Sequence, residues 1–496
     1  MKHIHFIGIC GVAMSALAIA YHKKGYKVTG SDKGFYPPVS TNLAEAGIEF
    51  YPGWHVEKMT AKGDPDVVIV GNVAGSENPE WQYVQENKIE YLSYPEAIAK
   101  DFVQKNSIVC AGTYGKSTSA SILTWVMLEA GFDPSYMFGG ISLNDIPAAT
   151  IGDSDYSVLE GDEYKSARWD NGAKFFHYSP THVLLTSVVW DHADVYPTEK
   201  SYVDAFTKLV SGIPESGLLV VSEKVSEQVI KSASTQVITY GKGEKNEYRY
   251  GNVETTKHGV TFDIIHKANT YHLITNSLGD YMADNMTGCF VMAHQLGMKP
   301  EDIIKHLASY KNIKRRLEKR FDGDITIFDD IAHSPTKAEK VLESVRKIYI
   351  PRHSERPEEI EESREKKRDL STSDSLRSSS ARDDEPRIFV VFEPNTGNRK
   401  PASLPGYDNA FVSADEVIIP KLSRVKVDED EQEKPIYGKE LADTIAKTHH
   451  NVNFIPDDEK LVDYLLKETK KGDVIAFLGS HGFRGMIGQL VSRLSE

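Results

Sequence analysis

The run Gly112-Thr113-Tyr114-Gly115-Lys116-Ser117-Thr118 combines glycines, an ammonium group and hydroxyls in the pattern that phosphate binding requires. Glycines let backbone N–H groups approach an anion with no Cβ in the way, Lys116 can neutralise β- and γ-phosphate charge, and Ser117 can offer its hydroxyl to Mg2+. The longer loop of this type carries a glycine six positions before its lysine; Cys110 stands there, so this is a shorter variant. A glycine turn that merely caps a helix is the competing account. Two acidic positions could serve the same site. Glu160-Gly161-Asp162-Glu163 closes an apolar stretch from Tyr156, and Asp191-His192 follows another from Val183 to Val189. Mg2+ takes oxygen ligands beside substrate phosphates, so Ser117 and Glu160 are natural candidates and His192 a less usual one, since a lone histidine is more often structural. A second glycine turn, Gly8-Ile9-Cys10-Gly11-Val12-Ala13-Met14, with Asp32 closing the next stretch, is similar to a dinucleotide fingerprint in place but not in spacing. Ala13 and Met14 occupy the third-glycine region, which leaves a nucleotide diphosphate at a helix N-terminus or a structural turn.

The elements that must position these residues alternate strand and helix. His3 to Ile7, a helix from Val12 to Lys24, and strands from Tyr26 to Gly30 and Val67 to Val70 predict a small doubly wound domain. The strand Ser107 to Ala111, the phosphate loop and a helix from Thr118 to Ala130 open a second, which continues through Tyr156 to Glu160, Val183 to Val189 and a helix from Ala283 to Leu296. A third begins with the strand Thr326 to Phe328 and a helix started by Pro335. It runs through strands at Ile388 to Phe392, Glu416 to Ile419 and Val474 to Leu478, with helices around Leu441 to Lys447 and Leu461 to Lys467. Arg352 to Arg387 is charged, serine-rich and apolar almost only at Ile360, Leu370, Leu376 and Ala381, which predicts a disordered insertion. The expected boundaries are 1–105, 106–318 and 319–496, with 352–387 as the insertion.

Length fits several domains: the chain has 496 residues, 40% hydrophobic and 26% charged, which excludes collagen-like, coiled-coil and wholly disordered chains. The 58 lysines and arginines against 72 aspartates and glutamates leave a net charge of −14, which argues against nucleic acid as the partner and for a metabolite. Cys10, Cys110 and Cys289 suit neither a disulfide framework nor a zinc site, and no apolar run approaches the ~20 residues of a membrane crossing. A cytoplasmic protein is expected.

Taken in order, these motifs resemble those of the Mur ligases, ATP-dependent enzymes that add amino acids or peptides to UDP-N-acetylmuramate. The phosphate loop, Glu160 through Glu163, Asp191-His192, Asn285, Arg316 and Asp330-x-x-His333-x-Pro335 fit the family's pattern along nearly the whole chain. The resemblance implies an α/β protein of three domains: an N-terminal Rossmann-like domain, a central P-loop ATPase domain and a C-terminal Rossmann-like domain. It implies ATP and Mg2+ as cofactors, and UDP-N-acetylmuramate plus a peptide or amino-acid acceptor as partners, with no nucleic acid and no membrane. By the same resemblance Lys116, Glu160, His192 and Arg316 act in catalysis. Gly112, Thr113, Gly115, Lys116, Ser117, Thr118, Asn285, Arg316, Asp330 and His333 hold ATP, and Ser117, Glu160 and His192 hold metal. Gly8, Gly11, Met14, Ser15, Asp32, Ser40, Thr41 and Asn72 hold the UDP substrate. Domain closure completes the site.

Within the family, Gly8-Ile9-Cys10-Gly11, Tyr36-Pro37-Pro38-x-Ser40-Thr41, Gly71-Asn72 and Phe176-His177-Tyr178-x-Pro180 look like the branch that adds a preformed tripeptide during wall recycling. The branch that adds L-alanine is the alternative. The chain departs from the family's usual histidine at Tyr114, from a His-Asn pair at Tyr281-Met282, and from Asn and Glu at Ser187 and Val189. A nicotinamide oxidoreductase and a nucleotide-binding protein without turnover stand as readings from other classes.

Overall fold

The computed structural model describes residues 1–35, 37, 39–192, 195–350, 385–422 and 435–495. They form two compact units, Met1–Glu254 with Val260–Ser277 and Tyr281–Ile313, and Thr255–Gly259 with Leu278–Asp280 and Lys314–Glu496. Both are mixed α/β structures built on largely parallel sheets, three of them large.

In the first sheet, β1 (His3–Ile7), β2 (Lys27–Asp32), β3 (Glu49–Pro52), β4 (Val67–Val70) and β5 (Glu90–Ser93) lie in the order β3-β2-β1-β4-β5, with every pair parallel. β1 and β4 are buried at every position; β4 accordingly reads as an apolar run, whereas β1 buries His3 and His5 between its apolar residues. The strand order reverses between β1 and β4, so the turns that follow them, Gly8 and Gly71, meet at the crevice where open α/β sheets take ligands. Gly8 has φ +89°, and a Cβ on it would lie 2.6 Å from Val73 Cγ1, so both conformation and space demand glycine.

The second sheet follows β6 (Asn106–Ala111), β7 (Ser135–Met137), β8 (Ala149–Thr150) and β9 (Tyr156–Gly161). A small hairpin, β10 (Lys165–Ala167) and β11 (Asp170–Ala173), stands apart from it. The chain then returns through β12 (His182–Leu185), β13 (Leu218–Ser222), β14 (Gln236–Gly241), β15 (Tyr248–Thr256), β16 (Gly259–His266) and β17 (Asn269–Thr275). The order is β17-β16-β15-β14-β13-β12-β6-β9-β7-β8, so β6 sits between β12 and β9. Register pairs Cys110 with Glu160 and Ala111 with both Gly161 and Leu185. The loops that leave these three strands therefore emerge side by side.

The strand expected over Val183 to Val189 ends at Leu185. Beyond it the chain turns to back the phosphate loop: Thr186 donates its N–H to Ala111 O, and Ser187 O accepts from Thr113 N–H. The strands β13 to β17 were not legible as a group. The burial of β16, alternating from Val260 onward, and the positive φ of Lys267 at its turn into β17 are the physical features that make this hairpin.

In the second unit, β18 (Glu318–Asp322), β19 (Thr326–Asp330), β20 (Ile388–Glu393), β21 (Glu416–Ile419), β22 (Val452–Phe454) and β23 (Val474–Gly479) lie in the order β18-β19-β23-β20-β21-β22. The helix Pro335–Tyr349 is capped by the Ser334 hydroxyl, which accepts from Lys337 N–H, with proline in its first turn. Most of the expected insertion, 352–384, lies outside the described residues. Arg387, placed at its end by composition, belongs to the folded unit instead: its N–H and its Nη2 reach the buried Asp473 carboxylate at 2.8 Å each.

Candidate active site

The phosphate loop leaves β6 and enters the helix Lys116–Glu129, with Gly115 at φ +82° as its N-cap. A Cβ on Gly115 would sit 2.5 Å from Asn285 Oδ1, so Asn285, on the buried helix Tyr281–Gln295, packs directly on the loop. The remaining loop contacts come from the segment after β12. Thr113 Oγ1 lies 2.8 Å from Val189 O and 2.9 Å from Val189 N, and 2.8 Å from the Tyr202 hydroxyl. Tyr114 N–H donates to Ser187 Oγ at 3.1 Å, and the Tyr114 ring is 40% exposed. Ser187 and Val189, which differ from the family's usual residues, thus hold the loop through a hydroxyl and backbone atoms.

Beside this loop the acidic end of β9 supplies two carboxylates with separate partners. Glu160 Oε1 accepts from Ser117 Oγ at 2.6 Å and Oε2 from Gly139 N–H at 2.5 Å. Burial pushes the Glu160 carboxyl above its ordinary range, although Ser117, Gly139 and Lys116 pull the other way. Glu163, with no exposed side-chain surface, is paired with Lys116, whose Nζ lies 2.8 Å from Oε2 and 3.0 Å from Oε1. Burial would lower Lys116, yet the charges of Glu163 and Asp162 outweigh it and hold the ammonium above its usual value. His192 Nε2 stands 3.5 Å from Glu163 Oε1 and 4.0 Å from Asp191 Oδ2. Burial would lower the imidazole too; the bond to Glu163 and the charge of Asp191 raise it. The Tyr202 hydroxyl closes the group at 3.2 Å from Glu163 Oε1.

Ser117 and Glu160 therefore meet, whereas His192 is bonded to Glu163 rather than grouped with them. Among the described residues no cluster of three or more His, Cys, Asp or Glu side chains is arranged to hold a metal. A hydroxyl and one carboxylate still fit Mg2+, which keeps waters and takes other oxygens from nucleotide phosphates.

A cavity of about 250 Å³ runs from this cluster to the crevice of the first sheet. One end is lined by Ala13, Met14, Val70, Gly71 and Asn72, the other by Gly139, Glu160, Asp162, Ser166, Lys174 and Tyr178. Tyr94 and Met137 also line it. At the first end Gly11 caps the helix Val12–Lys23 and accepts from Ser15 N–H at 2.8 Å. Asp32 is spent on the turn itself, its Oδ2 accepting from Cys10 N–H at 2.8 Å and its Oδ1 from Lys33 N–H at 2.7 Å. Ser40 and Thr41 lie on the short helix Val39–Glu45 and do not line the cavity. Tyr36 and Pro38, which belong to a quoted motif, lie outside the described residues.

Arg316, Asp330 and His333 belong to the second unit. Asp330 closes β19 and accepts from Leu317 N–H at 2.6 Å and Ala332 N–H at 2.8 Å. Burial raises its pKa against the charge of Arg316 and those two bonds. The neighbouring Arg315 is locked structurally, with Nε 3.0 Å from Asp329 Oδ1 and Nη2 2.8 Å from His481 O. His333 Nδ1 lies 2.7 Å from Ile331 O.

Sequence reasoning did not single out Glu163 as a site residue, nor Lys174, Tyr202 or Tyr94. Glu163 stood within the quoted acidic run, and its buried pairing was the missing information. The others carry no local pattern; only the sheet order brings them in.

A family model described as Mur ligase family, catalytic domain, matches residues 3–103, and one described as Mur ligase middle domain matches 110–293. A UDP-N-acetylmuramate–L-alanyl-gamma-D-glutamyl-meso-2,6-diaminoheptandioate ligase of Haemophilus influenzae is 35% identical, over 70% of this chain and 76% of its own. The ligase of the same name from Escherichia coli is 29% identical over 99% of this chain and 98% of its own. A UDP-N-acetylmuramate–L-alanine ligase of Desulfitobacterium hafniense is 26% identical over 96% and 97%. A crystal structure of a murein peptide ligase from Psychrobacter arcticus shares the fold with TM-score 0.70, 23% identity and coverage of 100% of this chain and 99% of that one.

Proposed function

Because the chain belongs to the Mur ligase family and is therefore an ATP-dependent amide-forming ligase, we propose that it joins L-Ala-γ-D-Glu-meso-diaminopimelate to UDP-N-acetylmuramate in peptidoglycan recycling. The observation that carries this reading is the cavity that links the glycine turn of the first sheet to Glu160 beside the phosphate loop. It offers a nucleotide-sugar a path to a phosphoryl donor. The relatives at 35% and 29% identity favour the tripeptide as the added group; L-alanine is the second reading, favoured by relatives at 26–29%.

In this mechanism an oxygen of the lactyl carboxylate attacks the γ-phosphorus of ATP, the β,γ-bridging bond breaks, and ADP leaves. The amine of the acceptor then attacks the acyl carbon, loses a proton and expels inorganic phosphate through a tetrahedral intermediate. Lys116 neutralises charge on the transferring group, and Glu163, through its bidentate contact, keeps that ammonium charged and oriented. His192, beside Glu163 and Asp191, steadies the same carboxylate. Ser117 and Glu160 would hold Mg2+, which when bound supplies positive charge to the phosphate oxygens. Asn285 is assigned to the nucleotide from its contact with the loop, and Arg316, Asp330 and His333 to ATP by family resemblance. Gly8, Gly11, Met14, Ser15 and Asn72 are assigned to the UDP moiety, and Asp32 to shaping its turn. We take 1–105 as the UDP-substrate domain, 106–318 as the ATP domain and 319–496 as the acceptor domain, in a cytoplasmic enzyme.

The test is phosphate release with Mg-ATP and UDP-N-acetylmuramate, with the tripeptide in one reaction and L-alanine in another, and product masses read alongside. Tripeptide-dependent release with UDP-muramoyl-tripeptide is expected. Release with L-alanine alone would assign the second reading, and silence in both would overturn the ligase assignment.

A further inference from the structure

The cavity carries two carboxylates, Glu160 and Asp162, and a single ammonium, Lys174, among its lining residues. On the reading above it admits a nucleotide-sugar whose reacting group is itself a carboxylate. A third negative charge brought beside two others in a cleft of reduced dielectric is repelled unless a cation receives it. Lys116 is committed to Glu163 and to the nucleotide side. We propose that Lys174 binds the lactyl carboxylate of UDP-N-acetylmuramate and holds it at the phosphate-loop end of the cavity. This rests on the function proposed above and names the residue that receives the reacting group.

The placement follows from the backbone. Lys174 comes directly after β11 and pairs with Asp162, its side chain being 17% exposed. Asp162 is two residues beyond Glu160, whose carboxylate accepts from Ser117 of the phosphate loop. The opposite end of the cavity is the N-terminus of the helix Val12–Lys23, where backbone N–H groups suit a diphosphate. The lactyl end of the substrate thus points to Lys174. An ammonium has three donors, so the bond to Asp162 leaves capacity for a second carboxylate. The segment that carries Lys174 is also braced against the other wall. In the turn between β10 and β11, Arg168 Nε donates to Asn72 O at 3.2 Å, and the Trp169 ring rests 5.2 Å from Trp81 and 5.4 Å from Tyr91. Lys174 is therefore fixed relative to both ends of the substrate.

The experiment is calorimetric titration of the full-length protein with UDP-N-acetylmuramate and with UDP-N-acetylglucosamine, which lacks only the lactyl group. Lys174→Gln and Lys174→Arg are compared with wild type. Loss of a charge-assisted contact predicts about 30-fold weaker binding of UDP-N-acetylmuramate to Lys174→Gln. Binding of UDP-N-acetylglucosamine should be unchanged, which also reports that the variant is folded, and Lys174→Arg should recover part of the loss. Equal weakening toward both nucleotides, or no weakening toward either, overturns the assignment. Absence of UDP-N-acetylmuramate binding by wild type would instead remove the functional reading, before any variant is measured.

Discussion

Replacing Glu163 with glutamine keeps its shape and removes its charge, and the structure sets the size of the response. At 2.8 Å and an effective dielectric of ~20, the Glu163–Lys116 attraction amounts to about 6 kcal/mol. His192 Nε2, 3.5 Å from the same carboxylate, is a second partner that the substitution disturbs. Removing a buried carboxylate also relieves its desolvation, so the net cost is smaller; breaking one partner of a buried pair commonly costs about 3–5 kcal/mol. Part of this lowers stability, with a melting temperature expected to fall by roughly 5 °C for a domain of this size. The rest appears in catalysis, because Lys116 loses the bidentate contact that orients it. We expect kcat/KM for ATP in Glu163→Gln to fall about 100-fold, equivalent to ~2.7 kcal/mol of transition-state stabilisation. The assay is ADP production at limiting and saturating ATP, with Glu163→Asp as the charge-retaining control. Activity within about threefold of wild type, at unchanged melting temperature, would refute the reasoning that Glu163 sets Lys116.

Three further outcomes follow from other contacts. His192 has its pKa raised in the folded state, so its contribution to stability is full below the ordinary value of 6.5 and fades as pH rises through the folded value. Chemical denaturation of His192→Gln between roughly pH 6 and 8 should show this part of the pH dependence flattened, and a slope identical to wild type would count against the pairing. Gly115→Ala forces a side chain into a positive φ and against Asn285 Oδ1, so calorimetry should find ATP binding lost; wild-type affinity would contradict the packing of Asn285 on the loop. Glu80, fully buried, accepts from the Tyr51 hydroxyl at 2.8 Å, His55 N–H at 2.7 Å and Ser31 Oγ at 2.5 Å. Glu80→Leu strands these donors and should destabilise the first domain by about 3 kcal/mol in urea titrations, while a loss under ~1 kcal/mol would show that the network is dispensable.

Much of this protein was legible without coordinates wherever the signal is local. The phosphate loop announces itself because glycine, lysine and serine act within one turn of chain, and the strand before it and helix after it follow from short-range apolar patterning. The fully buried parallel strand β4 reads correctly as an unbroken apolar run, and β1 is found where a strand is expected although His3 and His5 interrupt its apolar residues. Patterning failed where the chain stops being a strand for a tertiary reason. Thr186 to Val189 looks like a continuation of β12, yet leaves the sheet because its polar groups are needed by Thr113 and Tyr114. The tertiary structure alone decided which charges meet. Lys116 and Glu163 are 47 positions apart, and they pair because β6 lies between β9 and β12, which delivers three loops to one edge. The same order sends His192 to Glu163 rather than to Ser117 and Glu160, and sets Lys174 against Asp162. Residue types state what chemistry a chain can perform; strand order, which no short window of sequence encodes, states which of those residues share a site.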